Sequence, residues 1–269
     1  MKTSELLIHE AAVVDPTAEL GVGVEVGPYC VIGPNVKIGN GVTLASHVTV
    51  HPYTSIGDNC RIHSGAVLGG PPQDTKFQGE VSYVIIGDNN VIREYVTVHR
   101  ATGEGCATRV GDNNMLMAYC HIGHNAQVGS NITMANYVGI SGHVVIEDRV
   151  VFGGIVGVHQ FVRIGRLAMV GGYSKVVQDV PPFSMVDGRP ARVLDLNVVG
   201  LRRNGVSPKI RADLRRAFKL LYRSNLNLPQ AVEAVRQEVD PSAEIDYVLD
   251  FLTNVKFGFG GRQLDPPRR

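Results

Sequence analysis

Four histidines crowd one part of the chain: His121, His124, His143 and His159. Imidazole accepts and returns a proton near neutral pH, so each is a candidate general acid or base. It is also a good zinc ligand, so the cluster could equally hold a metal ion. The spacing is orderly. His124, Gly142 and Gln160 follow one another at intervals of eighteen residues, His143 and His159 each stand one residue from that series, and His121 precedes His124 by three. Such spacing supports chemistry only if the fold returns the chain to the same place every eighteen residues.

The elements that could do so are written in a period of six. Apolar residues occupy Ile8, Val14, Leu20, Val26, Ile32, Ile38, Leu44, Val50, Ile56, Ile62 and Leu68, then Ile86, Ile92 and Val98. The series resumes at Val110 and runs through Leu116, Ile122, Val128, Met134, Ile140, Ile146, Phe152, Val158, Ile164 and Val170 to Val176. Glycine often follows at once, and the fifth position is small or β-branched, as at Val36, Val42, Ala66 and Ala126. Neither a helical period nor simple alternation gives this pattern. A parallel β-helix does, with the aliphatic inside, the small fifth residue beside it and glycine easing the corner. Cys30, Cys60 and Cys120 hold the fifth position and read as small core hydrophobes. Two polar stretches, 69–85 and 99–109, break the period and read as loops thrown out from a rigid scaffold, where function often resides.

The hexads resemble those of hexapeptide-repeat acyltransferases, which implies three hexads to a coil, wound left-handed. On that basis residues 8–180 make about ten coils, a prism of roughly 46 Å at the strand spacing of ~4.8 Å. Residues eighteen apart then stack, and His124, Gly142 and Gln160 form one column. None of the four histidines occupies an inward first or fifth position, which disfavours a core role. Metal-dependent carbonic anhydrases built on hexapeptide prisms carry a His-x4-His pair, which this chain lacks, so no metal site is expected.

Composition agrees with a repetitive core. Of 269 residues, 44% are hydrophobic but only 6% aromatic, with no tryptophan and 31 glycines. Narrow coils filled by one aliphatic per hexad would leave little room for large rings. The length alone suggests about two domains. Charge is balanced, 26 basic against 25 acidic, which argues against bulk nucleic-acid binding or acidic disorder. No apolar run reaches the ~18 residues of a membrane span. Glu5, His9 and Glu10 interrupt any signal-peptide core, so a cytoplasmic protein without membrane insertion is expected. Four cysteines, Cys106 included, fit neither a disulfide framework nor a zinc spacing. Beyond PPFSMVDGRPAR the pattern turns helical: Ser207-Pro208 suits a cap and first turn, Ile210, Leu214, Phe218 and Leu221 form a stripe, and PQAVEAVRQEV and AEIDYVLDFLTNV fit further helices. The tail GFGGRQLDPPRR reads as loose. The expected architecture is mainly β: a left-handed parallel β-helix over 1–189 with a C-terminal α-helical domain over 190–269.

Seven motifs sharpen this. PPQDTKF (71–77), IREYVTVHRAT (92–102), AYCHIGHN (118–125), SGHVVIED (141–148), GGIVGVHQF (153–161), QDVPPFS (178–184) and GLRRNG (200–205) resemble, in order, those of the UDP-N-acetylglucosamine O-acyltransferase family. The resemblance spans nearly the whole chain. It implies transfer of a 3-hydroxyacyl chain from acyl carrier protein to the 3-hydroxyl of the UDP-sugar, the first step of lipid A synthesis, by a homotrimer with sites between neighbouring prisms. No cofactor is implied beyond the carrier-borne thioester. It further implies that His124 is the general base and that the Gly142 N–H serves the oxyanion. Asp74 would hold sugar hydroxyls and Lys76 the donor or phosphate region, with Gln73 beside them. His121, His143, His159 and Gln160 would contact substrate, and Asn197 and Arg203 the nucleotide. Met169 and Gly172 would line the acyl pocket, glycine there leaving room for a longer chain. The chain departs from the family at Asn125, where an acidic residue often follows the base, at Val199 and Asn204 beside the nucleotide, and at Pro190, where some relatives place a histidine.

Neutrality conceals a local imbalance: from Arg189 to Arg223 ten basic residues face Asp195 and Asp213, a net +8 within a total of +1. A solvated helix or a nucleic-acid site would also be basic, but an acidic carrier protein fits better. Other readings are a 3-amino UDP-sugar as acceptor, giving an amide, and a non-catalytic hexapeptide scaffold. The later N-acyltransferase of the same pathway usually has a separate N-terminal domain, for which hexads beginning at Ile8 leave no room.

Overall fold

The computed structural model describes residues 7–265. Strands of mostly two residues stack into three sheets, of eleven, nine and eight strands, which form the faces of a left-handed triangular prism. The first face runs from Leu7–Ile8 to Ala191–Leu196, the second from Val13–Val14 to Lys175–Val176, and the third from Glu19–Leu20 to Arg163–Ile164. Pairing within the prism is parallel, with partners eighteen residues apart where no loop intervenes, as in Gln127↔Val145 and Val128↔Ile146, until the last coil, which is two residues short: Met169 pairs with Met185 and Val170 with Val186. The first-position residues from Val26 onward are buried, as are the fifth-position residues Val24, Val36, Val42 and Ala66, in one continuous core. Cys30, Cys60 and Cys120 are buried there as free thiols. One large ring does fit, since Phe152 is fully buried at its coil.

The glycines after the aliphatic act differently from expectation. Backbone at positive φ falls instead on the fourth residue of the hexad, including Asn35, Tyr119, Asn125, Tyr137 and His143. Asparagine tolerates this region through local hydrogen bonding, and the repeat imposes it on tyrosine and histidine too. At the second position glycine is needed for close approach. A Cβ on Gly39 would lie 2.7 Å from the carbonyl carbon of Gly57, and one on Gly123 2.9 Å from the Gly142 nitrogen.

The edge between the third and first faces is laced by side chains: the backbone N–H groups of Asn40, Asp58 and Asp88 donate to Asp58, Asp88 and Asp112 on the next coil. The edge between the first and second faces carries an exposed aromatic column, Tyr95, Tyr119 and Tyr137, whose rings stack at 5.2 and 4.9 Å.

After the prism come α1 (Val198–Arg203), α2 (Pro208–Arg223), α3 (Leu228–Glu238) and α4 (Ala243–Asn254). Ser207 caps α2 as expected, accepting from the Ile210 N–H, and Asn227 closes a capping box on α3. Leu214, Phe218, Val235, Val248 and Leu249 form a second core that continues onto Leu167, Phe183 and Leu196. Two expectations need correction. Ala191–Leu196, assigned to the helical unit, is an antiparallel strand of the first face, paired with Ser184–Gly188. The tail is docked as far as it is described: buried Arg262 pairs with Asp265 and donates to the Val177 carbonyl, and Gln263 binds the Asp179 carboxylate. Residues 266–269 of the tail lie outside the described residues.

Candidate active site

The chemistry collects on the edge between the second and third faces. Both loops emerge there. Arg61 pairs with Val91 thirty residues on, where Thr43 pairs with Arg61 at eighteen, so the first coil carries twelve extra residues. Val91 pairs with Met115 at twenty-four, so the next carries six. The loops themselves span 71–82 and 100–106, shorter than the interrupted stretches because 67–70, 83–86, 97–99 and 107–110 are strands. Above them on the same edge stand His124, Gly142 and Gln160, one per coil. The stacking is tight: the His143 N–H donates to the His124 carbonyl at 3.0 Å, and the Phe161 N–H to the Gly142 carbonyl at 3.3 Å.

His124, Gly142 and Gln160 line a cavity of about 560 Å³ with Gln73, His99, His121, His159 and Lys175. His124 is held from three sides. The imidazole Nδ1 lies 2.8 Å from Asn125 Oδ1, Nε2 lies 4.0 Å from Asp74 Oδ2, and the ring meets His143 edge to face at 5.2 Å. An oxygen can sit at hydrogen-bond distance from both Nε2 and the carboxylate. Gly142 lies against the same Nε2, where a Cβ would stand only 2.5 Å away. Among the described residues its N–H donates to no other group, leaving a donor on the cavity wall beside the imidazole.

Burial disfavours the charged form of three surrounding imidazoles, His99, His121 and His143. Burial, then the neighbouring His124, lowers the pKa of both His121 and His143. His121 Nδ1 shares a 2.8 Å hydrogen bond with Thr97, and His143 stacks on Phe161. His99, which the eighteen-residue count does not single out, is pushed down to about 4 by burial and then by His121, His51 and His124. Its ring meets His121 edge to face at 5.0 Å. The sequence signal for it is weak, because the six extra residues place its neighbour His121 outside that count. His159 is exposed, its Nδ1 3.0 Å from the Gln160 carbonyl.

Loop 71–82 brings Asp74 to the base and leaves Gln73 and Lys76 exposed at its surface. Lys76 is near enough to His143 to disfavour its protonation. Arg100 pins this loop, its guanidinium lying over Phe77 at 5.2 Å and Tyr53 at 5.9 Å. Lys175, which no motif singles out, ends the cavity on the second face.

Four expected residues are not brought to this cavity within one chain. Asn197 caps α1, its side chain accepting from the Gly200 N–H and donating to the Leu167 carbonyl. Arg203 is exposed in the last turn of α1. Met169 lies on the first face, and Gly172 at the edge that carries the tyrosine column. Among the described residues no group of three or more His, Cys, Asp or Glu side chains is arranged to hold a metal ion.

Comparison with known proteins fits this geometry. Residues 179–259 match the family described as UDP-N-acetylglucosamine O-acyltransferase, domain 2, and residues 17–52, 35–70 and 107–142 match the bacterial transferase hexapeptide repeat. Over 253 residues the chain is 47% identical to an acyl-[acyl-carrier-protein]--UDP-N-acetylglucosamine O-acyltransferase of Thermodesulfovibrio yellowstonii, covering 93% of this chain and 98% of that one. The solved UDP-N-acetylglucosamine acyltransferase of Bacteroides fragilis superposes with a TM-score of 0.89 at 35% identity, over 97% of this chain and 100% of that one. The Francisella novicida enzyme does so with a TM-score of 0.87 at 38% identity, over 92% and 91%.

Proposed function

The chain belongs to the UDP-N-acetylglucosamine O-acyltransferase family, and from that premise we propose that it moves a 3-hydroxyacyl chain from acyl carrier protein to the 3-hydroxyl of UDP-N-acetylglucosamine, opening lipid A synthesis. One observation carries the assignment of roles: His124 Nε2, on the cavity wall, has the Asp74 carboxylate 4.0 Å away on one side and the Gly142 backbone, too close for a Cβ, on the other. A hydroxyl is a poor nucleophile until a base takes its proton. His124 Nε2 removes the proton as the sugar oxygen attacks the thioester carbon, and Asp74 holds the neighbouring hydroxyl and stabilises the imidazolium. The carbonyl oxygen gains negative charge, which the Gly142 N–H meets as it appears. Collapse breaks the C–S bond, and His124 returns the proton to the departing thiolate.

Gln73, Lys76, His121, His143, His159 and Gln160 form the binding wall of this reading. Asn197, Arg203, Met169 and Gly172 enter it through a neighbouring copy in a homotrimer, since a single chain holds them on other edges. The carrier docks on α2, where Arg215 and Lys219 are exposed beside a cavity of about 300 Å³ that Arg223, Asp195 and Tyr222 also line. No helix among the described residues is long and apolar enough to cross a membrane, and the reading places the reaction in the cytoplasm with soluble substrates and no further cofactor.

Mass spectrometry of the protein incubated with a ladder of 3-hydroxyacyl carrier proteins and UDP-N-acetylglucosamine tests this directly. The expected result is an ester product that disappears in His124→Ala while the assembly stays folded. A His124→Ala variant that keeps most of its turnover would remove the base from the mechanism. Preference for a 3-amino UDP-sugar in a competition assay would change the acceptor, and absence of any product would leave a scaffold.

A further inference from the structure

We propose that Asn125 is a positioning residue that locks the His124 imidazole in its Nδ1–H tautomer, and that the inserted loop 100–106 holds the lock. The proposal rests on His124 as the base and goes beyond it, because it concerns which ring nitrogen carries the proton before substrate arrives.

A side-chain amide can usually face either way, so its oxygen and nitrogen are interchangeable by geometry alone. Here both ends are committed. Asn125 Nδ2 donates to the Thr102 carbonyl at 2.9 Å, and Asn125 Oδ1 accepts from the Thr102 N–H at 2.9 Å. Reversing the amide would set N–H against N–H and oxygen against oxygen. The atom facing His124 Nδ1 at 2.8 Å is therefore an acceptor only, and Nδ1 must supply the proton. Thr102 Oγ1 lies 3.4 Å from the same nitrogen and can accept from it as well. A neutral imidazole has one N–H, so Nε2 is left with a free lone pair. Nε2 is the nitrogen beside Gly142 and Asp74.

The lock depends on backbone held elsewhere. The Asn125 residue itself sits at φ 60°, with its N–H on Thr108 Oγ1 at 2.8 Å. Loop 100–106 is tied to loop 71–82: the Gly103 N–H donates to Glu80 at 2.8 Å, the Val81 N–H to Glu104 at 3.1 Å, and the Gly105 N–H to the Val81 carbonyl at 2.8 Å. The loop that presents Asp74 and the loop that orients the base are thus hydrogen-bonded to each other. A carboxylate at position 125 would accept from Nδ1 but could not donate to the Thr102 carbonyl. Asparagine sets the tautomer without adding charge on the Nδ1 side of the ring.

The test is nitrogen NMR of the full-length protein labelled at histidine, with His124→Gln used to assign the signal. The expected spectrum shows His124 Nδ1 as the protonated nitrogen and Nε2 as the bare one in wild type. In Asn125→Ala the two tautomers mix and kcat falls about tenfold or more, while KM for the UDP-sugar stays within twofold. Asn125→Asp keeps the tautomer and recovers part of kcat, but its acidic limb of kcat/KM moves to higher pH, because the new anion favours the imidazolium. A wild-type ring protonated at Nε2 would overturn the proposal, and that reading needs no variant to fold. An unchanged tautomer and kcat in Asn125→Ala would overturn it too. Turnover surviving in His124→Ala would instead remove the base while the tautomer measurement stood.

Discussion

Replacing Gly142 with alanine tests the contact on which the mechanism turns. The added Cβ would stand 2.5 Å from Nε2, 2.7 Å from Cε1 and 3.1 Å from Cδ2 of His124. Ordinary contact begins near 3.4 Å, so about 0.9 Å of separation must be found. The ring cannot simply retreat, because Nδ1 is fixed to Asn125 and its face meets His143. The coil cannot easily lift, because the Gly123 N–H donates to the Ile140 carbonyl at 2.8 Å and the His143 N–H to the His124 carbonyl at 3.0 Å. Base and oxyanion donor are therefore forced apart by about 1 Å, a misplacement that costs roughly 10²-fold in rate, and loss of one oxyanion donor costs roughly 10²–10³-fold. The two losses share one displacement and do not add. We expect Gly142→Ala to lower kcat by about 10²–10³, or about 3–4 kcal/mol of barrier. Steady-state assays at saturating acyl carrier protein, run where both proteins are folded, measure it. Gly139 and Gly157 line the same cavity but a Cβ at either meets nothing within 4 Å, so the effects of Gly139→Ala and Gly157→Ala should fall on KM. A Gly142→Ala variant that keeps kcat within about threefold of wild type, or a Gly139→Ala variant that loses as much, would refute the clash.

Three further outcomes can be checked. His99, pushed down to about 4 by burial and by its histidine neighbours, stays neutral in the fold while the unfolded chain takes a proton near 6.5. Stability is then fully present above pH 6.5 and falls as the pH drops to about 4, by up to roughly 3 kcal/mol. His99→Gln abolishes that dependence, so denaturant melts should show the variant gaining on wild type across this window, and a flat difference would refute it. Reversing Arg215 and Lys219 to glutamate should raise KM for the acyl carrier protein at least tenfold and flatten its salt dependence, leaving KM for the UDP-sugar unchanged. Gly172→Met should move the preferred donor to a shorter chain in a mass-spectrometric ladder, whereas an unchanged preference would place the acyl end elsewhere.

The prism is legible because each hexad commits one aliphatic residue to the interior, and a column can be counted wherever partners lie eighteen apart. From Val110 onward no insertion intervenes, which is why His124, Gly142 and Gln160 are found together. Below that point the count fails: His99 hides behind a six-residue insertion, and the Thr102 clamp on Asn125 joins residues whose separation no period encodes. The corners mislead for another reason. A glycine reads alike whether it supplies positive φ or yields space to the next coil, and only the structure separates Gly123 from the positive-φ Asn125 two residues on. The short α1 lacks the length for a helical pattern, and the tail's docking depends on Arg262 and Gln263 meeting Val177 and Asp179 across the fold.

The way the prism stops has a consequence for how the protein behaves in a crowded solution. A pile of coils with identical rise is an open polymer, and a bare last coil would accept the first coil of another molecule as readily as its own successor. Each face ends by a different device: the first reverses direction at Ala191–Leu196, the second spends the Val177 carbonyl on Arg262, and the third, after a last parallel bridge between Ile164 and Val180, spends the Asp179 N–H on the Gly261 carbonyl. The three faces therefore present three different surfaces at that end. Concatenation is blocked there by geometry alone, and the chain can keep an apolar, uncharged interior along its whole length without seeding fibres from its C-terminal end.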